Sequence, residues 1–178
     1  PFEVSVQVTD NGKGTLVPDA KYPSGGAAFE NTYTPAPITY TPAVKKILSG
    51  NPVVKDETFE FKIEKTSGPE VTFANDTASV TYKKEGGLAT GEQTVPFGDI
   101  TFSQKGTYEF RITETTQSGN DKIDYDDASW TFTVEVTDDG NGSLSYADPV
   151  YDSSNPDEQD AAQAVFRNTY TPTPAEQP

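Results

Sequence analysis

The sequence predicts an all-β protein, built as a sandwich of two packed sheets. Short segments alternate apolar and polar residues along most of the chain, as half-buried strands do. Glycine, proline, asparagine and aspartate recur between these segments and provide frequent turn signals. No long segment has the 3.6-residue period of an amphipathic helix. Seven to nine such strands are predicted within residues 37–172 of the 178-residue chain, a number typical of a β-sandwich.

The composition disfavours several classes of function. The chain contains neither cysteine nor histidine, which removes disulfides, thiolate metal sites and the usual general base. Its net charge of −15 disfavours binding to nucleic acid or to an anionic membrane. No apolar run is long enough to cross a bilayer, so we expect no membrane insertion. We also expect no cofactor and no bound metal.

The first residues predict a hairpin followed by a third short strand. Residues 1–9 alternate, and residues 10–14 carry a tight Asp-Asn-Gly turn signal. A second strand is predicted from about Thr15, and a third over residues 27–33. The prolines of residues 34–42 then predict an extended linker.

The same pattern returns near the end of the chain. Residues 131–144 repeat the first strand and turn, and residues 164–172 repeat residues 28–35 in pattern. The two Asn-Thr-Tyr tripeptides begin at Asn31 and Asn168, which are 137 positions apart (168 − 31 = 137). That spacing fits one sandwich domain per period.

The repeat predicts three parts. Residues 1–36 are expected to be the C-terminal strands of a preceding repeat plus a linker. Residues 37–172 are expected to form one complete domain, and residues 173–178 a linker to the next segment. Whether residues 1–36 pair within the chain or with another chain stays open.

Alternating patterns and turn signals define the strands of the complete domain. One or two strands are expected within residues 71–82. The others are predicted at residues 38–48, 59–63, 95–102, 106–114, 130–136, 144–151 and 165–170, with polar or acidic loops at residues 83–93, 115–128 and 153–160.

The strand at residues 106–114 aims a carboxyl group at the core. Tyr108, Phe110 and Ile112 share one face, and the two-residue period places Glu114 on the same face. A buried carboxyl is costly unless it is partnered or protonated.

Two other strands each carry one polar residue on an apolar face. Lys46 shares a face with Val44 and Leu48, and Asn168 lies on the face of two flanking aromatic residues. Alternation points each of them inward separately, and does not by itself bring them together.

If Lys46, Glu114 and Asn168 meet, burial favours a reaction. It lowers the pKa of a lysine ammonium and raises the pKa of a carboxyl. Protonated Glu114 would then hydrogen-bond the side-chain carbonyl of Asn168, neutral Lys46 would attack it, and Glu114 would relay protons as ammonia leaves. The product is one amide that ties the first strand to the last. The simpler alternative is a buried Lys46–Glu114 salt bridge beside a hydrogen-bonded Asn168 that never reacts.

The motifs around these residues occur in a specific order. They are Val-Lys-Lys-Ile-Leu-Ser-Gly at 44–50, Phe-Glu-Phe at 59–61, Phe-Gly-Asp-Ile-Thr-Phe at 97–102, Gly-Thr-Tyr-Glu-Phe-Arg-Ile-Thr-Glu at 106–114, Thr-Asp-Asp-Gly-Asn-Gly at 137–142 and Phe-Arg-Asn-Thr-Tyr at 166–170. This series of motifs resembles the pilin isopeptide-linkage repeat of Gram-positive surface proteins, within the wider CnaB-like group of pilin and adhesin domains. The resemblance spans nearly all of residues 40–171 and implies an immunoglobulin-like (CnaB-like) β-sandwich.

The resemblance also implies roles for single residues. Lys46 and Asn168 match the cross-linked pair and Glu114 the catalytic carboxyl. Lys45 is the alternative lysine. The face of the strand on which Lys45 lies and the spacing to the following glycine both favour Lys46. Asn31 matches the bond-forming asparagine of the preceding repeat. Residues 1–30 lack both the lysine strand and the glutamate strand, so Asn31 is expected to be unlinked unless a partner is supplied in trans.

The resemblance implies a structural stalk or backbone module of a Gram-positive adhesin or pilus, extracellular and attached to the cell wall. This stretch of chain shows neither a signal peptide nor a sorting signal. The expected partners are neighbouring repeats of the same protein, with any host ligand bound through other domains. Because the reaction happens once and does not turn over, we expect that this protein is not an enzyme. The alternative is a ligand-binding adhesin domain that contacts host protein or glycan through its loops, and saturable binding by the isolated chain would favour it.

Two acidic stretches have simpler interpretations than cation sites. Residues 138–142 resemble part of a calcium loop, but the spaced acidic pattern ending in glutamate is missing, so a β-turn is predicted. Asp124, Asp126 and Asp127 are predicted to lie in a solvated loop.

Overall fold

The computed structural model describes residues 2–26, 28–155 and 161–173, which form β-strands and no helix. The chain divides into two compact units, Pro1–Tyr33 (unit 1) and Thr34–Pro178 (unit 2). Because the described residues contain no helix, none of them forms a long apolar helix that could cross a membrane.

Unit 1 is a two-stranded antiparallel hairpin. Strand β1 (Ser5–Asp10) pairs with β2 (Leu16–Lys21), and the Asn11 side chain accepts hydrogen bonds from the backbone of the turn. The predicted third strand is wrong for residues 28–33, which form no strand, and Ala27 lies outside the described residues. A strand needs a neighbour to complete its hydrogen bonds, and residues 28–33 are not added to either edge of the β1–β2 sheet.

Unit 2 contains thirteen strands among its described residues. They are β3 (Ile38–Tyr40), β4 (Ala43–Gly50), β5 (Glu57–Ser67), β6 (Val71–Phe73), β7 (Thr77–Tyr82), β8 (Gly91–Pro96), β9 (Ile100–Phe102), β10 (Gly106–Glu114), β11 (Ile123–Asp124), β12 (Ser129–Asp138), β13 (Leu144–Tyr146), β14 (Tyr151–Ser153) and β15 (Ala164–Tyr170).

Several predicted boundaries differ from the observed ones. The single strand predicted over residues 38–48 is split into β3 and β4 at Pro42, which has no N–H to donate to a ladder. The strand predicted over residues 144–151 is likewise replaced by two short strands, β13 and β14, of which β14 begins only at residue 151. Strands β8 and β11 fall partly or wholly within segments predicted as loops. Of the predicted loop and linker near the C-terminus, residues 156–160 and 174–178 lie outside the described residues.

The strands form two principal sheets and a smaller third one. The first has the order β13-β12-β10-β5-β7, with β14 also paired to β12, and the second has the order β11-β15-β4-β8. A third sheet contains β3, β9 and β6. Aromatic rings from different sheets meet in the core, as Phe61 of β5 and Phe166 of β15 do at 5.3 Å between centroids. The prediction of an all-β sandwich is confirmed.

The first and last long strands of unit 2 are neighbours in the second sheet. Strands β4 and β15 run parallel, with register from Ala164 opposite Val44 to Tyr170 opposite Gly50. Gly50 has φ of 85°, and a Cβ there would lie 2.2 Å from the carbonyl oxygen of Tyr170. Only glycine fits this approach without a shift of the backbone, so the local sequence helps to fix the end of the β4–β15 ladder.

Candidate functional site

Lys46 lies inside the core, in the middle of β4. Its fractional exposure is 0%, and it stands opposite Phe166 in the β4–β15 ladder. The Tyr82 hydroxyl donates a hydrogen bond to the Lys46 carbonyl at 3.0 Å. These contacts fix the backbone from which the lysine side chain extends between the sheets.

The three polar residues predicted to face inward meet at one point. Lys46 Nζ lies 2.5 Å from Glu114 Oε2, and Asn168 Nδ2 donates to Glu114 Oε1 at 2.7 Å. Lys46 and Asn168 come from adjacent parallel strands, and Glu114 ends β10 in the opposite sheet. One carboxyl therefore contacts both the amine and the amide through its two oxygens.

Aromatic rings surround the amine. Lys46 Nζ lies 4.4 Å from the ring centroid of Phe59 and 5.9 Å from that of Phe61. Rings at these distances attract a cation but supply far less solvation than water does. The lysine is therefore charged only at a considerable cost in solvation.

Burial shifts both ionisable groups toward their neutral forms. Burial lowers the pKa of Lys46 to about 8, although the charge and hydrogen bond of Glu114 oppose this shift. Burial also raises the pKa of Glu114, against the opposing effects of Lys46 and of the hydrogen bond from Asn168. The two shifts bring the neutral amine and the protonated acid closer in free energy to the ion pair.

The orientation of the Asn168 amide differs from the expected one. The backbone N–H of Asp126 donates to Asn168 Oδ1 at 2.9 Å, and a backbone N–H can only donate. The carbonyl oxygen therefore faces Asp126, and the NH₂ group faces Glu114. The expectation that Glu114 would hydrogen-bond the carbonyl is wrong, because Nδ2 of the amide, and not Oδ1, contacts the Glu114 carboxyl.

Asp126 is not the solvated loop residue that its acidic neighbours suggested. Its side chain is partly buried, and its two carboxylate oxygens accept hydrogen bonds from the backbone N–H groups of Arg167 (2.6 Å) and Ala128 (2.9 Å). The sequence offered no signal for this role, since Asp124 and Asp127 carry the same side chain close by and are exposed.

The remaining candidates lie away from this cluster. Lys45 points to the opposite face and pairs with Glu92 at 2.8 Å. Asn31 is exposed in unit 1. In the stretch at residues 138–142, Asp138 and Asp139 accept hydrogen bonds from backbone N–H groups of their own turn, which confirms the predicted turn. Among the described residues, no group of three or more acidic side chains is placed to hold a metal ion.

Comparisons with known proteins identify a family from a family model and a shared fold from solved structures. The model of the family described as FctA, Spy0128-like isopeptide containing domain, matches residues 2–34 and 42–171. The structure of the major pilin protein T-13 from Streptococcus pyogenes superposes with a TM-score of 0.58 at 24% identity, covering 75% of this chain and 53% of that one. Another Streptococcus pyogenes major pilin superposes with a TM-score of 0.52 at 22% identity, covering 74% and 50%. The chain thus spans about half the length of these pilins. No curated protein sequence matches it.

Proposed function

Because the chain belongs to the FctA family of Spy0128-like isopeptide-containing domains, we propose that it is a structural module of a Gram-positive pilus or surface adhesin. In this proposal the module is displayed outside the cell on a wall-attached protein. An autocatalytic amide between Lys46 and Asn168 stabilises it. One observation carries the proposal: the buried Glu114 carboxyl contacts the Lys46 amine and the Asn168 amide at once.

The first step is a proton transfer within the ion pair. Lys46 Nζ gives a proton to Glu114 Oε2, which leaves a neutral amine beside a protonated acid. The pKa shifts of the two groups lower the cost of this transfer. The fixed position of the amine also replaces a bimolecular encounter, which contributes about 7–11 kcal/mol in favourable intramolecular reactions.

The second step forms one bond and breaks another. The amine lone pair attacks Asn168 Cγ, and the carbonyl electrons move onto Oδ1. Glu114 takes a proton from Nζ and gives one to Nδ2, the atom that already donates to its carboxyl. The Cγ–Nδ2 bond then breaks and ammonia leaves. The products are a secondary amide and a protonated Glu114, so the reaction happens once and does not turn over.

The amide would join the two long strands that begin and end the sandwich. It would close a loop of 122 positions (168 − 46 = 122) between parallel neighbours in one sheet. Neither strand could then be pulled away without breaking a covalent bond. This property suits a stalk that carries mechanical load and resists proteolysis, and the neighbouring repeats of the same protein would be its partners.

We also propose that residues 1–36 close a preceding repeat, that residues 37–172 are one complete domain and that 173–178 lead onward. The turns after β1 and β12 support this, because Asn11 and Asp139 accept equivalent backbone hydrogen bonds. Their strands differ in burial. Apolar residues of β1 such as Val6 are 57% exposed, whereas their counterparts in β12 such as Val134 are buried. In this proposal the missing neighbours of β1 belong to that preceding repeat.

The intact mass of the purified, denatured chain tests the proposed reaction. We expect a mass below that of the sequence by one ammonia. A chain at its full mass would instead support the unreacted salt bridge.

The rate of cross-linking is expected to depend on pH with a maximum. The reactive pair needs one shared proton, and as pH rises through about 8 that proton is lost from Lys46, so the rate should fall about tenfold per pH unit. Below the raised pKa of Glu114 the pair holds two protons, Lys46 stays an ammonium, and the rate should fall again. Ammonia loss from newly made chain, followed by mass across a pH series, checks this. A rate that keeps rising above pH 8 would show that the free amine attacks without the proton of Glu114.

A further inference from the structure

We propose that the backbone N–H of Asp126 stabilises the negative charge that develops on Asn168 Oδ1 during cross-linking, and that the Asp126 side chain and Gln117 are positioning groups for this donor. The inference rests on the proposed cross-link and adds a second group to its chemistry. Glu114 would transfer the protons. The backbone of the segment between β10 and β12 would stabilise the negative charge on the oxygen.

The geometry of the donor carries the inference. When Lys46 attacks Asn168 Cγ, the carbonyl electrons move onto Oδ1. The Asp126 N–H already points at that atom from 2.9 Å, within the range of oxyanion donors. Asn168 is fully buried, so the donor acts where water does not screen it and needs no rearrangement during the reaction. Glu114 cannot serve this oxygen, because its carboxyl contacts the opposite side of the same amide.

The Asp126 side chain ties this donor to the strand that carries the reactive asparagine. Its Oδ2 accepts the backbone N–H of Arg167 at 2.6 Å, and Arg167 directly precedes Asn168 in β15. Its Oδ1 accepts the backbone N–H of Ala128 at 2.9 Å. The carboxylate thus fixes the loop backbone on both sides of the donor.

Gln117 ties the same residue to the strand that carries the carboxyl. Its Nε2 donates to the Asp126 carbonyl at 2.8 Å and to the Glu114 carbonyl at 3.1 Å. Residue 126 is therefore linked to the backbone of Glu114 through Gln117. It is linked to the strand of Asn168 through the hydrogen bond between its own carboxylate and the Arg167 N–H. A displacement of this loop would move the oxyanion donor relative to both reacting strands.

The charge of Asp126 acts on both members of the reacting pair. Burial is the main cause that raises the pKa of Glu114, and the nearby Asp126 carboxylate adds to that effect, which favours the protonated acid. The same carboxylate raises the pKa of Lys46 against the effect of burial, which disfavours the neutral amine, so the inference rests on the geometry. The alternative role for Asp126 is to cap the loop and stabilise the fold, without an effect on the reacting amide.

The rate of cross-linking distinguishes a role of Asp126 in the reaction from a role in stabilising the fold alone. The full chain would be made by cell-free translation, sampled at intervals, and scored for cross-linked chain by mass and by mobility on denaturing gels. We expect Asp126→Ala to react at least about tenfold more slowly than wild type. Alanine keeps the N–H but loses the carboxylate that positions it, and complete loss of one oxyanion interaction would slow a reaction by about 10²–10³-fold. Asp126→Asn keeps one side-chain oxygen and should recover part of the rate. Asp127→Ala, which changes an exposed carboxylate next in sequence, should react as wild type does.

A stability control excludes a simple folding defect. Both alanine variants would be compared by circular dichroism in a Glu114→Ala background, where no cross-link can contribute. If Asp126→Ala does not fold, replacement of the backbone N–H of residue 126 by an ester oxygen removes the donor and keeps the carboxylate side chain, and we expect a rate about 10²-fold lower. Wild-type rates for a folded Asp126→Ala or for the ester would overturn this inference and leave the proposed cross-link intact. A wild-type chain that never loses ammonia would overturn both.

Discussion

Glu114→Gln is expected to slow the loss of ammonia by about 10²–10⁴-fold, the usual contribution of a positioned general acid and base. Glutamine keeps the size of the side chain and one oxygen acceptor, but it cannot take a proton from Lys46 and pass it to Asn168. Intact mass at timed intervals after synthesis measures the rate. Glu109→Gln is the matched control, because Glu109 lies on the exposed face of the same strand. A Glu114→Gln chain that reacts within about tenfold of wild type would remove Glu114 from the mechanism.

The pKa of Lys46 gives this experiment a clear interpretation. Burial lowers that pKa, and the charge of Glu114 partly restores it. Removal of the charge therefore makes the amine neutral more readily, which by itself would favour attack on Asn168. A slower reaction in Glu114→Gln must then come from the lost proton transfer, and not from a shortage of neutral amine.

Asn168→Ala is expected to lower the free energy of unfolding of unit 2 by at least about 5 kcal/mol. The chain-entropy relation for a covalently closed loop gives about this value for 122 positions (168 − 46 = 122). For a protein of this size the loss corresponds to a fall in melting temperature of about 10–20 °C. Calorimetry or circular dichroism measures it, with wild type and variant at equal pH and salt.

A double-mutant cycle separates the covalent bond from the hydrogen bonds of Asn168. In a Glu114→Gln background, measured before the slowed cross-link accumulates, Asn168→Ala removes only the contacts with residue 114 and the Asp126 backbone, at about 1–3 kcal/mol. The difference between the two backgrounds reports the contribution of the bond. Equal losses in both backgrounds would show that no bond stabilises the fold.

Alternation alone was enough to predict that each of the three side chains of the site faces the core. Lys46, Glu114 and Asn168 each interrupt an apolar face, and a two-residue period fixes which face that is. The parallel pairing of β4 with β15 supplied what alternation could not, since it brings two distant segments side by side. Pairing between strands that are distant in sequence depends on the whole chain, and the sequence of either strand gives little indication of its partner.

The orientation of the Asn168 amide could not be predicted in this way. It is set by the backbone N–H of Asp126, which belongs to a loop without periodicity. The same holds for Gln117, whose contacts depend on the path of that loop. The break between β3 and β4, in contrast, was open to prediction, because Pro42 lacks the N–H that a continuous strand requires.

The most direct measurement is a tandem mass spectrum of the digested wild-type chain. Intact mass alone is ambiguous, because Asn-Gly sequences can also lose ammonia through cyclisation, and the chain contains two of them, at Asn11 and Asn141. We expect one branched peptide that joins the Lys46 and Asn168 segments, with the ammonia lost from that asparagine. Separate linear peptides, with Lys46 and Asn168 both unmodified, would contradict the cross-link and leave the cluster as a buried ion pair beside a hydrogen-bonded amide.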